Sequence, residues 1–401
     1  MTPVIYVPQG SIIRVLPNEI SHFSELFRSQ GISLECIDFQ QGIVSFPQAY
    51  VGYISLPNRR IVIKPKHEEI DLRHVIRMFY FLYASDSTDL DDPIYDIENG
   101  SSFDLIENFI KELNIVVKKG LPVEYRDNCD DLQYLRGNIN VVSTLINIEL
   151  KKKEVFNCVY NELSYDIPIN RVLYKALLKV ANISESGMFG ILKRHFIDVS
   201  EPVDIPDIIL NTNTMYCRKA LTLAYMILND MSISDYGEQG YGQNFLLNFD
   251  KLFEDFVKRI LTVYSGDYEF TYWNEERQYA ICRNKTEEYY KSYIPDMLYG
   301  FQDSISPISA YAILDMKNKL SNPFSNSDVY QMFFYSNQLH SKKVILCYPS
   351  CEDRDNAILN FDNESFKIQK IYACFVTLTG NSSIEFKRNI ISFIEKVLSV
   401  L

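Results

Sequence analysis

The sequence lacks the short motifs that identify several large classes of enzyme. It has no GxxxxGK[ST] segment, so the chain is not predicted to bind a nucleoside triphosphate through a phosphate-binding loop. It has no GxSxG and no HExxH. The five histidines form no pair at metal-ligand spacing, and the eight cysteines include no CxxC pair. A zinc site is therefore not expected, and reduced thiols are the simpler interpretation.

Long apolar segments are also missing. No run of 18 apolar residues occurs, so no membrane-spanning helix is predicted. The first residues, Met1–Pro8, lack the basic and apolar regions of a secretory signal. We therefore expect a cytoplasmic protein without a membrane partner.

The composition is that of a globular protein with an acidic surface. Apolar residues make up 47% of the 401 positions, which is enough for substantial cores, and the length favours two domains. The net charge of −12 argues against non-specific binding of nucleic acid by the whole surface. A protein of this charge that acts on DNA needs a local basic track or a partner that holds the DNA.

The hydrophobic periodicity predicts a mixed α/β organisation. Strands and turns are expected over 1–65, with a hairpin at 51–66, and helices at 72–83 and 103–117. The Gly-rich segment 236–243 indicates a boundary between domains 1–235 and 236–401. The second half is predicted to form a central sheet covered by helices. Its elements are a long helix from Asn244, strands at 269–273, 279–282, 293–299, 310–316, 344–348 and 371–378, and helices at 327–339 and 383–401.

Charged residues interrupt two apolar runs of this second half, Ile294–Leu298 and Ala312–Lys317. Buried charge is costly unless it is paired or binds a metal. Side chains alternate along a strand, so Asp315 and Lys317 share a face, roughly 7 Å apart along the strand. Asp296 on a neighbouring strand can reach the same cleft. Two carboxylates suit Mg²⁺, and a lysine can orient a water molecule and stabilise developing negative charge, as phosphodiester hydrolysis requires.

Each of these residues also has a structural interpretation. Asp315 and Lys317 could form a surface ion pair at a solvated strand end, and Pro295-Asp296 could mark a turn. Glu254, on the long helix, is either a further metal ligand or an ordinary exposed carboxylate. Gln331, on an otherwise apolar helix, either bonds the site or the phosphate, or is a satisfied polar residue at the helix edge.

The same residues belong to a wider set by which the chain resembles McrC, the nuclease subunit of McrBC-type, GTP-dependent, modification-directed restriction systems, including the LlaJI-like systems. In the second half the resemblance rests on Leu252–Val257, Ile294–Asp296, Leu314–Lys317 with Lys319, Gln331 with Tyr330 and Tyr335, and Cys347–Pro349. In the first half it rests on Val51–Ile54, Ile63–Lys66, Leu135–Asn138 and Tyr160–Arg171. Met316 departs from the small residue that the family often has at this position.

The resemblance implies a C-terminal PD-(D/E)xK nuclease domain with a mixed central sheet, preceded by a mixed β/α N-terminal domain. It implies that Asp296 and Asp315, with Glu254 in support, hold Mg²⁺, and that Lys317 is the catalytic lysine, with Gln331 in support. It also implies that the N-terminal domain docks on a hexameric, McrB-like AAA+ GTPase and stimulates its GTP hydrolysis. DNA would then be recognised mainly through that partner, which agrees with the acidic charge and the missing phosphate-binding loop.

The resulting hypothesis is a Mg²⁺-dependent DNA endonuclease subunit of a McrBC-like restriction system. Two alternatives remain open at this level. The chain could be a regulatory adaptor that mainly activates the GTPase, or a nuclease that acts without a partner.

Overall fold

The computed structural model divides the chain into two compact units. The first combines Met1–Phe103 with Met231–Leu401, and the second is Asp104–Asp230. The predicted boundary at 235/236 lies outside the described residues, and the functional division into 1–235 and 236–401 stays a prediction. The residues described are 3–29, 31–56, 58–83, 90–92, 95–97, 105–151, 153–181, 187–206, 208–230, 245–273, 276–283, 288–302, 308–319, 323–362, 368 and 370–401.

The N-terminal part of the first unit consists of short strands and two helices. The predicted hairpin is confirmed as two antiparallel strands in which Gly52 lies opposite Ile63. Helix α1 packs Phe23, Leu26 and Phe27 into an apolar cluster with these strands. The elements are β1 (Val4–Pro8), β2 (Ile12–Arg14), α1 (Pro17–Ser29), β3 (Ile37–Asp38), β4 (Ile43–Ser45), β5 (Tyr50–Ser55), β6 (Arg60–Lys64) and α2 (Leu72–Tyr83).

The second unit is a three-stranded antiparallel sheet with helices. The strand order is β7-β9-β8, and the helices bury the apolar stripes that their sequences predict. Two segments, Ile146–Leu150 and Met226–Asp230, continue α4 and α7 as π-helical turns. The elements are α3 (Leu105–Lys119), β7 (Glu124–Leu132), β8 (Asn138–Ile139), α4 (Val141–Leu145), β9 (Phe156–Ser164), α5 (Pro168–Ala181), α6 (Gly187–Lys193) and α7 (Arg218–Tyr225).

The C-terminal part of the first unit is built on a six-stranded sheet of order β11-β14-β15-β16-β18-β17. Strands β15, β16 and β18 run parallel to one another, and β14 pairs with β15 antiparallel. The elements are β10 (Phe245–Asn248), α8 (Phe249–Tyr264), β11 (Phe270–Tyr272), β12 (Arg277–Arg283), β13 (Glu288–Tyr293), β14 (Met297–Tyr299), β15 (Ala312–Met316), α9 (Asn326–Gln338), β16 (Lys343–Ser350), β17 (Ala357–Asn360), β18 (Lys370–Thr377) and α10 (Ser383–Leu398).

Two expectations for this part need correction. The strand predicted over 293–299 is split, because β13 ends at Tyr293 and β14 begins at Met297, so Asp296 lies in the link between them. Pro295 has no N–H to donate to a sheet, which favours a break there. The long helix begins at Phe249, after the Asn248 cap, and the residues before it form β10, which pairs with β5.

Helices cover the six-stranded sheet. Ile313 of β15 lies in one apolar cluster with Met332 of α9 and with Leu339, the residue that follows this helix. Helices α8 and α10 contact β15 and β18. All five residues of β15 are buried, as expected for a strand covered on both faces. Within the described residues, no helix combines the length and apolar character needed to cross a membrane.

Arg77 of α2 ties the N-terminal segment to the end of the six-stranded sheet. Its guanidinium is buried and donates to the carbonyls of Leu378 and Gly380, both at 2.7 Å, and of Thr379 at 3.2 Å. It also lies 4.6 Å from the ring centroid of Phe386 on α10. One side chain thus satisfies several backbone carbonyls at the carboxyl end of β18.

We predict that Arg77→Met destabilises the protein by about 2–4 kcal/mol, because several hydrogen bonds from a buried charged group are lost. Urea denaturation measures the change in the free energy of unfolding. Lys342→Met, at an exposed position of the same unit, is the control and is expected to change it by less than about 0.5 kcal/mol. Equal effects of the two substitutions would contradict the anchoring role of Arg77.

Candidate functional site

The site is centred on Asp315, which lies inside β15. Asp315 is two residues after Ile313 and so faces the same side of the sheet, toward α9. Its side chain is 1% exposed. Lys317 follows two residues later and its Nζ lies 2.5 Å from Asp315 Oδ2, as the predicted shared face requires. The interpretation as a solvated strand end is therefore wrong for Asp315.

Asp315 has little compensation for its burial apart from this lysine. Among the described side chains and backbone groups, none gives either carboxylate oxygen a hydrogen bond of normal geometry. Burial raises the pKa of Asp315, and the charge of Lys317 opposes that rise. Burial by itself would lower the pKa of Lys317, but the Asp315 carboxylate reverses this and leaves it raised. The ammonium group of Lys317 is therefore charged at neutral pH.

Asp296 lies directly across from Asp315. The antiparallel pairing ends with Met297 opposite Leu314, and extending this register by one residue places position 296 opposite position 315. The backbone N–H of Met316 donates to Asp296 Oδ2 at 2.7 Å, which fixes this carboxylate at the end of β15. Burial, followed by the charges of Asp315 and Glu254, raises the pKa of Asp296 to about 7. The two aspartates thus form a pair of carboxylates that repel each other when both are ionised.

Glu254 reaches the neighbourhood of the two aspartates from α8. Its charge contributes to the raised pKa of both Asp296 and Asp315. Its carboxylate is paired with Lys258, one helical turn further on. No group of three or more His, Cys, Asp or Glu side chains in the described ranges is placed to hold a metal ion. A role for Glu254 as a third ligand accordingly remains a proposal.

Gln331 contacts the site through Tyr335, a residue that the pattern alone did not single out as functional. Gln331 Nε2 donates to Tyr335 Oη at 2.7 Å, and Tyr335 Oη donates to the carbonyl of Ile294 at 3.0 Å. This chain of hydrogen bonds ends two residues before Asp296. Gln331 and Tyr335 are four positions apart on α9, so they lie on one face of the helix. This spacing is the feature of the sequence that could have linked Tyr335 to Gln331.

A second lysine–carboxylate pair lies next to the first and was not predicted. Lys319 Nζ is 2.6 Å from Asp328 Oδ1, and Asp328 is 3% exposed in the first turn of α9. The charge of Asp328 contributes to the raised pKa of Asp315. The sequence shows Lys319 only as a lysine after the motif and Asp328 only as a helix-start residue, so nothing in it joins the two.

The donor set of the site suits a hard divalent cation. Two carboxylates are held close together, and the oxygens of Asp315 are buried with the Lys317 ion pair but with no hydrogen bond of normal geometry from the described residues. Mg²⁺ needs few protein ligands because it keeps several of its waters. The buried, unsatisfied oxygens of Asp315 are the kind of group that a bound cation would satisfy.

The fold and this centre define a mixed α/β protein with two aspartates and a lysine close together at the end of β15 in its main sheet. The chain belongs to the McrBC 5-methylcytosine restriction system component family, whose sequence profile matches residues 47–349. The family expected from the motifs is thereby confirmed. No curated protein is similar enough in sequence to count as a match.

Two solved structures from Thermococcus gammatolerans are similar to this chain. One is a chain in the refined half-complex from the tetradecameric assembly of McrB AAA+ hexamers with bound McrC. It has 17% identity and a TM-score of 0.56, and the match covers 99% of this chain and 100% of that chain. The other, from the McrBC complex, has 19% identity and a TM-score of 0.41 over 66% of this chain and 89% of that chain. The first supports the overall mixed α/β fold.

The raised pKa of Asp296 predicts a pH-dependent cost to stability. The ionised form is disfavoured in the folded state, so the cost begins above the ordinary pKa of 3.8 and is complete above about 7. We expect Asp296→Asn, in chelator, to raise the thermal unfolding temperature at pH 8 and to change it little at pH 4. The Asn oxygen can still accept the Met316 hydrogen bond. A pH-independent difference, or the same profile for Asp267→Asn at an exposed position, would contradict this cause.

Proposed function

We propose that this chain is the Mg²⁺-dependent DNA endonuclease subunit of a McrBC-like restriction system, with a PD-(D/E)xK arrangement in its C-terminal half. It would hydrolyse DNA phosphodiester bonds when assembled with an McrB-like AAA+ GTPase whose GTP hydrolysis it stimulates. The observation that carries the nuclease part is the buried Asp315, which lies opposite Asp296 and 2.5 Å from Lys317. The family membership supports the restriction part.

Asp296 and Asp315 would hold the Mg²⁺, with Glu254 as a further ligand or acceptor. When bound, the cation supplies Lewis acidity toward the phosphate and a more acidic water molecule. The raised pKa of Asp296 favours this use, because two adjacent carboxylates that repel each other are stabilised by a shared positive charge. The hydrogen bond from the Met316 N–H to Oδ2 keeps Asp296 in place.

Lys317 would orient the attacking water and stabilise the negative charge that develops on the phosphate. Its side chain is 19% exposed, so the ammonium can reach a substrate from its position beside Asp315. Its raised pKa keeps it protonated at neutral pH, which suits electrostatic stabilisation rather than proton abstraction. Gln331 and Tyr335 would act through the Ile294 carbonyl, holding the segment that carries Asp296.

The partner-binding part of the proposal rests on the second unit. The stretch 134–150 exposes a series of large apolar side chains. Apolar surface of this extent is unusual unless a partner covers it, so the stretch is a candidate for partner binding. These residues are Tyr134, Leu135, Ile139, Val141, Val142, Leu145, Ile146, Ile148 and Leu150. The net charge of −12 also favours a partner that holds the DNA. The similar structure from T. gammatolerans contains McrB AAA+ hexamers with bound McrC.

We predict that Asp315→Ala lowers the rate of DNA cleavage by at least about 100-fold, while the stimulation of GTP hydrolysis remains. The reason is that the substitution removes a cation ligand of the proposed nuclease site, and loss of even a group that supports a metal ligand costs about 10- to 100-fold. Cleavage of plasmid DNA and phosphate release are measured with the GTPase partner present, and Lys342→Ala serves as the surface control.

The same experiment separates the alternatives. Loss of both activities in a folded Asp315→Ala protein would contradict the division of labour between the two functions. A wild-type protein that stimulates GTP hydrolysis but never cuts DNA over a range of Mg²⁺ concentrations would support the regulatory adaptor. Full cleavage without any partner would support a nuclease that acts alone.

A second prediction concerns the exposed apolar stretch. We expect Val142→Asp to reduce the stimulation of GTP hydrolysis by about tenfold or more, because an interface centred on apolar contacts loses over 1 kcal/mol when one is replaced by a charge. Val142 is 69% exposed, so the substitution should not unfold the protein. Val203→Asp, at a more exposed position of the same unit, is the matched control. Equal stimulation by both variants would place the partner surface elsewhere.

A further inference from the structure

The Lys319–Asp328 pair lies at the junction between the catalytic segment and α9. Lys319 Nζ donates to Asp328 Oδ1 at 2.6 Å and to Ser325 Oγ at 3.0 Å. Ser325 is the N-cap of α9 and Asp328 belongs to its first turn. One lysine therefore binds both side chains that begin this helix.

The pair is poorly explained by stability alone. A lysine at a helix N-terminus opposes the helix dipole, where cations are unfavourable. Asp328 also loses hydration, because its side chain is only 4% exposed, whereas that of Lys319 is 35% exposed, and apolar residues are often as stabilising at a buried position. Asp328 Oδ2 is buried and, within the described part of the chain, receives no hydrogen bond. The arrangement keeps a costly charge in place beside the site.

The turn before α9 shows strain at the same point. Phe324 has a φ of 72°, in the left-handed region that non-glycine residues rarely adopt. Its N–H donates to Tyr348 Oη, at 3.2 Å, on β16. Such a conformation costs about 1–3 kcal/mol and persists only where surrounding contacts impose it. The contacts here are Tyr348 on one side and the Lys319–Ser325 hydrogen bond on the other.

Asp328 also lies on the same face of α9 as two residues of the proposed site. Asp328, Gln331 and Tyr335 follow one another at helical spacings of three and four, so they lie on one face of α9. At the far end of that face Tyr335 bonds the Ile294 carbonyl, two residues from Asp296. At the near end Asp328 bonds Lys319, two residues after Lys317. The helix face is thus fastened at both ends to the two segments that carry the site.

We propose that Lys319 and Asp328 are a positioning pair: they hold α9 against the segment after β15, so that Gln331 and Tyr335 keep Asp296 aligned with Asp315 and Lys317. The inference rests on the proposed nuclease function and names residues that act through others rather than on the DNA itself. It accounts together for the buried charges, the strained turn and the polar face of α9.

The test compares four variants and one control variant of the full chain, each with the GTPase partner. Lys319→Met and Asp328→Asn are expected to lower kcat for DNA cleavage by about 10- to 100-fold, because a misplacement of about 1 Å costs up to about 100-fold. KM for DNA should stay at the wild-type value, since the proposal gives neither residue a contact with the substrate. Lys319→Arg, which keeps the charge and its reach, should recover most of kcat.

The double variant Lys319→Met/Asp328→Asn separates positioning from folding. Unlike Lys319→Met, it leaves no unpaired charge at the buried Asp328 position, so its thermal unfolding temperature should recover relative to Lys319→Met, while kcat stays as low as in the worse single variant. Lys396→Met, which breaks the ion pair with Asp353 elsewhere in the same unit, is the matched control and should keep wild-type kcat. The proposal would be overturned by an unchanged kcat in Lys319→Met, or by a kcat in the double variant that equals the product of the two separate losses. A raised KM with normal kcat would also overturn it and would indicate a direct DNA contact.

A binding measurement distinguishes failure of this inference from failure of the proposed function. Mn²⁺, which prefers the same oxygen ligands as Mg²⁺, is titrated into each variant and its free fraction is followed by electron paramagnetic resonance. We expect at least about tenfold weaker binding in Lys319→Met than in the wild type. If the wild type binds Mn²⁺ but cuts no DNA with its partner, the nuclease proposal fails, whereas this comparison still decides the role of the pair. Wild-type Mn²⁺ affinity in Lys319→Met would overturn it.

Discussion

The burial of the Asp315 carboxylate within β15 is the constraint on which the site depends. A charge placed in a strand that is covered on both faces is stable only if the surroundings supply compensating charge or a cation. Lys317 supplies part of that charge from 2.5 Å. Asp296 stands opposite and adds repulsion, so the two carboxylates are held close by the antiparallel register of β14 and β15 rather than by their own interaction. The pairing of β14 with β15 therefore offsets the repulsion between the two carboxylates.

The N-terminal and C-terminal parts of the first unit contact each other directly. Strand β10, just before α8, pairs with β5 of the N-terminal hairpin, and Arg77 of α2 binds the carbonyls after β18. Rings from both ends also meet, since Phe81 contacts Phe256 and Phe386. The site-bearing part and the first hundred residues accordingly form one compact unit, and 104–230 forms another. The predicted boundary at 235/236 concerns the division of functions along the chain, whereas the two units reflect how the chain packs.

Prediction from the sequence succeeded where the pattern is long and regular. The stripe of α8 and the pattern over 327–339 gave helices within a few residues of those observed, and the apolar run before Asp315 gave β15. It failed where a local signal competes with a distant partner. Phe245–Asn248 has the apolar character of a helix start but pairs with β5, and Asp296 lies in a link because Pro295 interrupts the strand. Lys319 and Asp328 are nine positions apart, and no periodicity joins a residue after a strand to one in a later helix.

The sequence by itself determined the identities that chemistry requires: two aspartates and a lysine in apolar surroundings, at a spacing that places Asp315 and Lys317 on one face. That much follows because strand and helix periods are local properties of the backbone. Only the tertiary structure decided that Asp296 stands across from Asp315, that Glu254 is held by Lys258, and that Gln331 reaches the site through Tyr335. These relations depend on strand register and on the packing of α8 and α9, which are set by the burial of many residues at once and not by any one segment.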